Sequence, residues 1–401
     1  MLVHADICSY ICAKHTSICA EMIKILLLID YSSDYDRRLL RGLVRYSEEN
    51  GPWMFYRLPF YFIEMYGMEG VLQWARKWNP DAIIGKLESN TIDLHKELNV
   101  PVVLLNFHWR STRYSNLTGD YHKEGRIAAG FFKEKLFNDF AFFGFRDVVW
   151  SEERMEGFEQ EVRASGGNFY SFLTANVDDE MRVELAQWLR QLPKPLALFC
   201  CDDERALFVS ETCKMCNIAI PEEISLLGVD NDELMCSISD PPISSIPLLV
   251  EEGGYTMAKL IEQQILGKNN EMFNLKVLPG KIIERGSTDR YNIRDEYILK
   301  IVKYINENYM TELDTEKLLQ LVPLSRRNLE TKFKSAMGVS IYQYILDRRC
   351  DKLANLLANT DLVLADAAHE AGFTNYGNLS RIFKKRKGLS PSEYRQKFGK
   401  S

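Results

Sequence analysis

Long apolar runs, histidine and nucleotide-binding signatures are all scarce in this sequence of 401 residues. No stretch approaches the 18 or so consecutive apolar residues that a membrane-spanning helix requires, so we expect no membrane span. Six histidines supply a His-based metal or acid–base site poorly, and neither an H-E-x-x-H nor a G-x-x-x-x-G-K-[ST] motif occurs. These absences argue against an enzyme, and we expect no catalytic residue, no metal and no cofactor.

The cysteine pattern and the N-terminal segment bear on the cellular compartment. Nine cysteines, an odd number, are scattered along the chain, which argues against a disulfide framework and favours a reducing cytoplasm. Residues 1–21 contain Asp6, Lys14 and Glu21, so they lack the basic start and the apolar core of a signal peptide. We expect residues 1–21 to be a misassigned or disordered extension and translation to start at Met22. A transport binding protein, which needs an export signal, is therefore disfavoured.

Charge is divided between a long acidic part and a short basic part. Residues 290–401 contain 20 Lys and Arg against 13 Asp and Glu, a charge of +7, and the whole chain carries −6, which leaves −13 for residues 1–289. This asymmetry predicts that the C-terminal part meets a polyanion and that the N-terminal part does not. The length exceeds one hydrophobic core and predicts two or three domains.

Residues 22–285 alternate short apolar runs with amphipathic segments. Strands are predicted at residues 24–30, 53–58, 82–85, 102–106, 115–119, 139–145, 168–173, 197–201 and 225–229. Helices between them are predicted at residues 37–49, 124–135, 151–164 and 179–191. This alternation is typical of parallel sheets covered by helices, and its length predicts an α/β domain of two lobes with a cleft between them.

Polar residues follow most of these apolar runs, where the carboxyl ends of parallel strands form ligand sites. The predicted sugar-binding residues are Tyr35, Arg37, Asn106, Asp120, Arg154, Asp230 and Asn231. Carboxylate, amide and guanidinium groups suit a polyhydroxylated ligand, since each hydroxyl both donates and accepts, and Tyr35, Trp109 or Trp150 could stack on a sugar ring. A structural alternative stays open, because Asp120 or Asp230 could simply cap the following helix.

Two segments carry a resemblance to a known family. IPEEISLLGVDNDELMCSISDPPISSI (220–246) and SEERMEGF (151–158) are similar to the sugar-sensing core of lactose/galactose-repressor-type regulators. The resemblance implies a two-lobed fold like that of periplasmic binding proteins, in which Asp120, Arg154 and Asp230 bind sugar hydroxyls. The N-terminal DNA-binding headpiece of that family has no counterpart in this sequence.

The part after a predicted linker at residues 286–294 is helical and contains a repeat. Helices are predicted at residues 296–308, 315–321, 326–337, 341–358, 364–371, 376–387 and 391–398. RNLETKFKSAMGVSIYQY (327–344) and GNLSRIFKKRKGLSPSEY (377–394) match at seven of eighteen positions, 50 residues apart. Each copy contains an apolar Leu/Phe pair at i, i+4 and follows a short helix and a tight turn. The repeat predicts two helix-turn-helix motifs in a DNA-binding domain at residues 295–399.

The outer faces of the two repeated helices are the predicted DNA-binding surface. Its residues are Arg326, Arg327, Thr331, Lys334, Arg349, Ser380, Arg381, Lys384 and Lys385. Arg, Lys, Ser and Thr on such a face can read base edges and hold phosphates, whereas the structural alternative is a solvated face of a helical bundle. The segment with Gly372-Phe373, Pro391 and Tyr394-Arg395 closely resembles the DNA-binding domain of AraC-type regulators.

A repressor-like sensor joined to an AraC-type domain is similar to the layout of xylose-operon activators. YDRRLLRGLVRY (35–46) and KIIERGSTD (281–289) also look like segments of that type. The resemblance implies a homodimeric activator that binds a sugar, xylose first, and double-stranded promoter DNA, and that acts on RNA polymerase. The alternative is a cytoplasmic α/β enzyme acting on a sugar, with a C-terminal helical interaction domain, for which no catalytic group is visible.

Overall fold

The structure is a computed structural model, and its described residues fall into two compact units. They are residues 22–29, 32–58, 60–86, 93–105, 110–175, 178–268, 271–293, 295–311, 313–374 and 378–398. The boundary between the units lies between Arg290 and Tyr291. The predicted extension at residues 1–21 and the predicted site residues Asn106 and Trp109 lie outside the described residues.

The first unit contains two parallel sheets. Its strands are β1 (Ile23–Leu28), β2 (Trp53–Arg57), β3 (Ala82–Gly85), β4 (Val102–Leu105), β5 (Ser115–Gly119), β6 (Asp139–Phe145), β7 (Asn168–Thr174), β8 (Leu196–Cys200), β9 (Ile224–Asp230), β10 (Ser244–Pro247) and β11 (Asn274–Val277). The first sheet has the order β11-β5-β4-β3-β1-β2, and the second has the order β10-β9-β8-β6-β7. All the described strand pairs run parallel. Each lobe contains one of the two sheets.

Helices cover both faces of these sheets. They are α1 (Asp34–Asn50), α2 (Phe60–Trp78), α3 (Leu94–Leu98), α4 (Tyr121–Glu134), α5 (Val149–Ala164), α6 (Asp179–Gln191), α7 (Asp203–Met215), α8 (Glu233–Ile238) and α9 (Val250–Ile265). The central strands are almost entirely buried because helices pack on both sides of them, which explains their continuous apolar sequences. Helix α1 packs against α9 in the first lobe, and α4 packs against α5 in the second.

The sequence prediction of a parallel α/β fold is confirmed. Each of the nine predicted strands is present, with ends that differ by at most two residues. The sequence prediction missed β10 and β11. Strand β11 is an edge strand whose Asn274 and Lys276 are exposed, so its composition resembles that of a loop. Among the described helices, none is long and apolar enough to cross a bilayer.

The chain passes between the two lobes three times. It leaves the first lobe after β5, returns after β10, and leaves again after β11, where Leu248 and Ser245 form isolated bridges with Pro279 and Ile283. The segment Gly286–Thr288 then forms a 3-10 turn on the second lobe, and Ser287 Oγ donates to the Leu226 carbonyl at 2.6 Å. The predicted linker starts at residue 286, whereas Ser287 and Thr288 are fully buried in the first unit.

The second unit consists of seven described helices. They are α10 (Glu296–Asn308), α11 (Thr315–Leu319), α12 (Arg326–Met337), α13 (Ile341–Asn359), α14 (Leu364–Glu370), α15 (Leu379–Lys387) and α16 (Pro391–Phe398). Helix α13 contacts α12, α14, α15 and α16, so it joins the two halves of the unit. The predicted start of the sixth helix at residue 376 lies outside the described residues.

The two repeat copies fold alike. Leu329 and Phe333 of α12, and Leu379 and Phe383 of α15, are buried. Gly338 and Gly388 end these helices at φ 71° and 77°, the left-handed conformation that glycine adopts without steric cost, and each glycine N–H donates to the carbonyl four residues earlier. Helices α12 and α15 are therefore held by equivalent contacts, as the 50-residue repeat predicts.

Candidate functional site

A cavity of about 610 Å³ lies at the carboxyl ends of the strands of both sheets. In the first sheet, β2 is added on one side of β1 as the edge strand, and β3 is then added on the opposite side of β1. In the second sheet, β7 and β8 flank β6 in the same way, so the strand order reverses between β1 and β3 and between β6 and β8. Ligands of open α/β sheets bind at such points because the loops there diverge and leave a crevice. The cavity faces both reversal points, since Tyr35 and Lys86 line it from the first lobe and Trp150 and Asp202 from the second.

Arg154 of α5 lines this cavity and is only 3% exposed. Its guanidinium lies over the rings of Tyr121 and Trp150, at 5.3 and 5.2 Å from the two centroids. Its Nη1 donates to the Cys201 carbonyl at 2.6 Å, and its Nη2 lies 3.9 Å from Oδ1 of Asp230. Arg154 is therefore fixed in position with a donor group directed toward Asp230.

Glu124 of α4 is the counterion of Arg154. Its Oε2 accepts from Arg154 Nε at 2.5 Å, and its side chain is fully buried. No described donor lies within hydrogen-bonding distance of Glu124 Oε1. Burial raises the pKa of Glu124, and the charge of Arg154 opposes that rise. Burial alone lowers the pKa of Arg154, but the charges of Glu124 and Asp230 raise it above its ordinary value.

Two glycines bring α4 and α5 close enough for this pair to form. A Cβ added at Gly125 would lie 2.2 Å from the Arg154 carbonyl oxygen, and a Cβ added at Gly157 would lie 2.2 Å from the His122 carbonyl oxygen. Any side chain at either position therefore separates the helices. Because Gly125 follows Glu124 directly, the close approach of the helices also places the carboxylate beside the guanidinium.

Asp230 ends β9 at the edge of the cavity, with a backbone φ of 99°. Arg38 of α1 in the first lobe donates to its carbonyl at 2.7 Å, which links the lobes at this point. Burial raises the pKa of Asp230, and the charges of Arg154 and Arg38 oppose this rise. Burial, Tyr121 and Asp230 also raise the pKa of the Tyr35 hydroxyl well above its ordinary value, so Tyr35 offers a neutral donor and acceptor to the cavity.

The loop after β8 supplies two more carboxylates. Asp202 caps α7 and pairs with Arg205, whose Nε lies 2.8 Å from Asp202 Oδ1. Asp203 is buried and accepts from Ser245 Oγ at 2.6 Å and from the Asp232 N–H at 2.8 Å. Burial raises the pKa of Asp203 well above its ordinary value. In the described part of the chain, no three or more His, Cys, Asp or Glu side chains are grouped closely enough to hold a metal ion.

The structure brings three of the seven predicted sugar-binding residues to the cavity: Tyr35, Arg154 and Asp230. Three others do not line it. Arg37 is exposed and donates to the Ser32 carbonyl at 2.5 Å, Asp120 pairs with Lys276 at 3.3 Å, and Asn231 accepts from Arg285 at 2.7 Å. The sequence predicts which residues follow a strand. The direction of each side chain depends instead on its tertiary partners, such as Lys276 and Arg285.

Sequence reasoning missed Glu124, Tyr121, Lys86 and Arg205. Of these, Glu124 had a usable signal, because it lies one turn before Ala128 on the buried face of α4. A carboxylate on an apolar helix face requires a buried partner. The cavity that results presents carboxylates, a fixed guanidinium and four aromatic side chains, Tyr35, Tyr121, Phe145 and Trp150, which together can hold a polyhydroxylated ring.

The second unit presents the predicted DNA-binding side chains on two helix faces. Arg326, Arg327, Thr331 and Lys334 are exposed on α12, and Ser380, Arg381, Lys384 and Lys385 are exposed on α15. These faces lie opposite the buried Leu/Phe pairs. Arg326 pairs with Glu330 at 3.1 Å and Lys384 lies 3.7 Å from Glu393, so both are solvent-exposed ion pairs that DNA phosphates can replace at little cost.

The structure does not group Arg349 with these side chains. Its Nε donates to the Tyr309 carbonyl at 2.7 Å and its Nη2 donates to the Thr311 carbonyl at 2.8 Å. It therefore caps the end of α10. Arg386 and Lys387 are also engaged, because they pair with Asp347 and Asp351 of α13. The basic run of α15 thus divides into two exposed lysines and two cations that hold α15 against α13.

Comparisons with known proteins agree with this division of the chain. A periplasmic binding protein-like domain matches residues 129–288, and a helix-turn-helix domain matches residues 318–397. The xylose operon regulatory protein of Escherichia coli K12 is 26% identical over 93% of this chain and 96% of its own length. That of Haemophilus influenzae is 25% identical over 94% of this chain and 98% of its own length.

A solved structure shares the fold along most of the chain. The structure of a xylose-binding transcription activator has a TM-score of 0.59 and 24% identity, and the match covers 96% of this chain and 100% of the other. The relatives are regulators rather than enzymes, which agrees with the absence of catalytic motifs in the sequence. The chain is thus a homologue of the xylose operon regulatory proteins: a transcription regulator in which a periplasmic-binding-protein-like domain precedes an AraC-type, DNA-binding helix-turn-helix domain.

Proposed function

We propose that the chain is a cytoplasmic, sugar-responsive transcription activator whose effector is a pentose, with D-xylose as the first candidate. The observation that carries this proposal is the position of Arg154, whose guanidinium lies over two aromatic rings of the cavity lining, with a donor directed toward Asp230. A fixed donor beside a carboxylate matches adjacent sugar hydroxyls, and the rings match the apolar face of a sugar. The names of the two curated relatives support xylose over other sugars.

In this proposal the sugar acts by joining the two lobes. Tyr35 belongs to the first lobe, and Arg154 and Asp230 belong to the second. A ligand that contacts all three stabilises the closed arrangement, and the three passages of the chain between the lobes are the segments in which closure would bend the backbone. Linkage then requires reciprocity: if sugar tightens DNA binding, DNA tightens sugar binding by the same factor.

The second unit would carry the DNA contacts. We assign Arg327 and Arg381 to base edges and Lys384 and Lys385 to phosphates, because all four are exposed on the faces opposite the buried pairs. Two helix-turn-helix motifs on one chain can enter successive major grooves of double-stranded promoter DNA, about 34 Å apart. We further propose that the chain acts as a homodimer and contacts RNA polymerase at the promoter.

Calorimetry with the full chain tests the sugar proposal. D-Xylose, D-ribose, L-arabinose, D-glucose and D-galactose are titrated into the wild type and into two variants, Arg154→Lys and Arg37→Ala. We expect D-xylose to bind the wild type and Arg37→Ala alike, because Arg37 does not line the cavity. Arg154→Lys should lose binding, since lysine cannot reproduce the planar fork that holds the Cys201 carbonyl and faces Asp230. A wild type that binds none of the five sugars contradicts the proposal.

A further inference from the structure

Every cation that lines the cavity among the described residues has a carboxylate within 2.8 Å. The three pairs are Lys86 with Asp36 at 2.7 Å, Arg154 with Glu124 at 2.5 Å, and Arg205 with Asp202 at 2.8 Å. The undescribed residues between 22 and 290 include no Lys or Arg. The cavity therefore offers cationic donor groups whose charge is already neutralised.

Carboxylates, by contrast, exceed cations in the lining. The acidic lining residues are Asp34, Asp202, Asp203, Glu204, Asp230 and Asp232, and the basic ones are Lys86, Arg154 and Arg205. Asp34 is paired with Arg38 outside the lining at 2.8 Å, and burial raises the pKa of Asp203, so the remaining four carboxylates supply the excess negative charge. A site lined in this way repels an anion, because charges in a protein cleft are screened less than charges in bulk water. A phosphate ester or a carboxylate on the ligand would meet this field directly.

Glu124 has a special place in this arrangement because it does not line the cavity. It binds Arg154 through Nε, while the Cys201 carbonyl takes Nη1, and Nη2 remains directed toward Asp230. Glu124 thus cancels the positive charge of the guanidinium without occupying the donor that faces the ligand. Its ionisation follows from its neighbour: arginine stays protonated in proteins, and a buried arginine requires a counterion.

We propose that Glu124 is a specificity-determining residue, which makes the cavity select neutral sugars over anionic ones by cancelling the charge of Arg154. This inference rests on the proposed sugar-binding function and adds a ligand class to it. Without Glu124, Arg154 would act as an anion receptor in the cavity, as arginine does in many phosphate and carboxylate sites. With Glu124, Arg154 donates hydrogen bonds to hydroxyl groups and attracts no anion.

The test compares neutral and anionic sugars on the full chain and on Glu124→Gln. The probes are D-xylose, D-glucose with D-glucuronate, D-galactose with D-galacturonate, and D-ribose with D-ribose 5-phosphate, all measured by calorimetry. Glutamine keeps the shape of Glu124 and an oxygen that accepts from Arg154 Nε, so the variant removes the negative charge while it keeps the contact with Arg154. The matched control is Glu159→Gln, which removes one carboxylate from an i, i+4 pair with Arg163 on the outer face of α5.

We expect the wild type and Glu159→Gln to bind neutral sugars and to bind the anionic counterparts at least about 100-fold more weakly, as expected for a charge held in a low-dielectric site. In Glu124→Gln the affinity for the anionic counterparts, relative to the neutral sugars, should rise at least about tenfold. In the double variant Glu124→Gln/Arg154→Gln, which removes both charges of the pair, the anionic counterparts should bind no more tightly than they bind the wild type.

Three results overturn the inference. A folded Glu124→Gln that gains no affinity for any anionic counterpart contradicts it, and so does a wild type that binds an anionic counterpart as tightly as the neutral sugar. This second result needs no variant, so it applies even where Glu124→Gln fails to fold. A gain that persists in the double variant shows that Arg154 is not the anion receptor. Failure of the proposed function is separate, because the wild type would then bind none of the neutral sugars.

Discussion

The rings of Phe383 and Tyr394 meet edge to face, with centroids 5.5 Å apart and an angle of 90°. The same contact occurs 50 residues earlier, between Phe333 and Tyr344, at 5.8 Å and 67°. In both cases the phenylalanine anchors the second helix of a helix-turn-helix motif and the tyrosine belongs to the helix that follows it. The contact packs each of these helices against the helix that follows it, so the two motifs are held by similar contacts.

Phe383→Ala should therefore disrupt the second unit and leave the first unit folded. Phe383 is fully buried, and truncating a buried phenylalanine costs about 3–5 kcal/mol of unfolding free energy. Hydrogen exchange followed by mass spectrometry should show lost protection in residues 379–398 while β6 and β8 stay protected. The milder Phe383→Leu should keep most of the protection, and equal loss of protection in both units would contradict the prediction.

Asp230→Asn should weaken sugar binding without unfolding the protein. The predicted loss is about 1.5–3 kcal/mol, the range for a hydrogen bond to a charged group. Asparagine is the appropriate replacement because Asp230 adopts a φ of 99°, and asparagine tolerates positive φ better than alanine does. Titration of D-xylose into the variant measures the loss. An unchanged affinity in a variant with wild-type thermal stability would remove Asp230 from the site.

Arg381→Ala and Arg327→Ala should each reduce specific DNA binding by about 1–3 kcal/mol and relax sequence preference at one position of the site. Arg349→Ala serves as the comparison, because its guanidinium is bonded to the carbonyls of Tyr309 and Thr311. It should lower the thermal stability of the second unit and leave sequence preference unchanged. Selection of bound sequences from a randomised duplex distinguishes the two outcomes. A relaxed preference in Arg349→Ala would return that residue to the DNA-binding surface.

Lys384→Ala and Lys385→Ala should weaken binding to all DNA sequences equally. Each removes one phosphate contact, so the slope of log affinity against log salt concentration should fall by about one per variant. The control on the same helix is Lys387→Ala, because Lys387 pairs with Asp351 of α13. Anisotropy titrations at several salt concentrations give the slopes, and a wild-type slope in both lysine variants would refute their assignment to phosphates.

The buried Asp203 predicts a dependence of stability on pH. Burial raises its pKa in the folded state well above the unfolded value. The folded state therefore binds a proton at pH values where the unfolded state has released it, so the free energy of unfolding should rise as pH falls through the raised pKa. The rise should stop near the ordinary Asp pKa of about 3.9. Urea unfolding of the first unit at a series of pH values measures this change, and Asp203→Asn should flatten it.

Features with a local physical cause could be read directly from the sequence. The parallel strands were predictable because strands covered on both faces require continuous apolar runs, as in β3 and β4. The two DNA-binding motifs were predictable because a duplicated helix keeps the same buried pair, Leu and Phe, and the same glycine at its end. Each apolar run and each repeat copy is a short segment of sequence, and the two copies can be compared without any knowledge of distant contacts.

The composition of the cavity depends instead on tertiary structure. Asp120 and Asp230 both follow strands, yet Asp230 lines the cavity and Asp120 pairs with Lys276 of β11, a strand the sequence did not reveal. Arg349 and Arg381 are both basic, but the end of α10 provides carbonyls for Arg349 alone. Glu124 and Arg154 are 30 residues apart, and they pair because Gly125 and Gly157 let two helices approach closely. Periodicity determines which face of an element is buried, whereas only the packing of elements distant in sequence determines which polar groups meet.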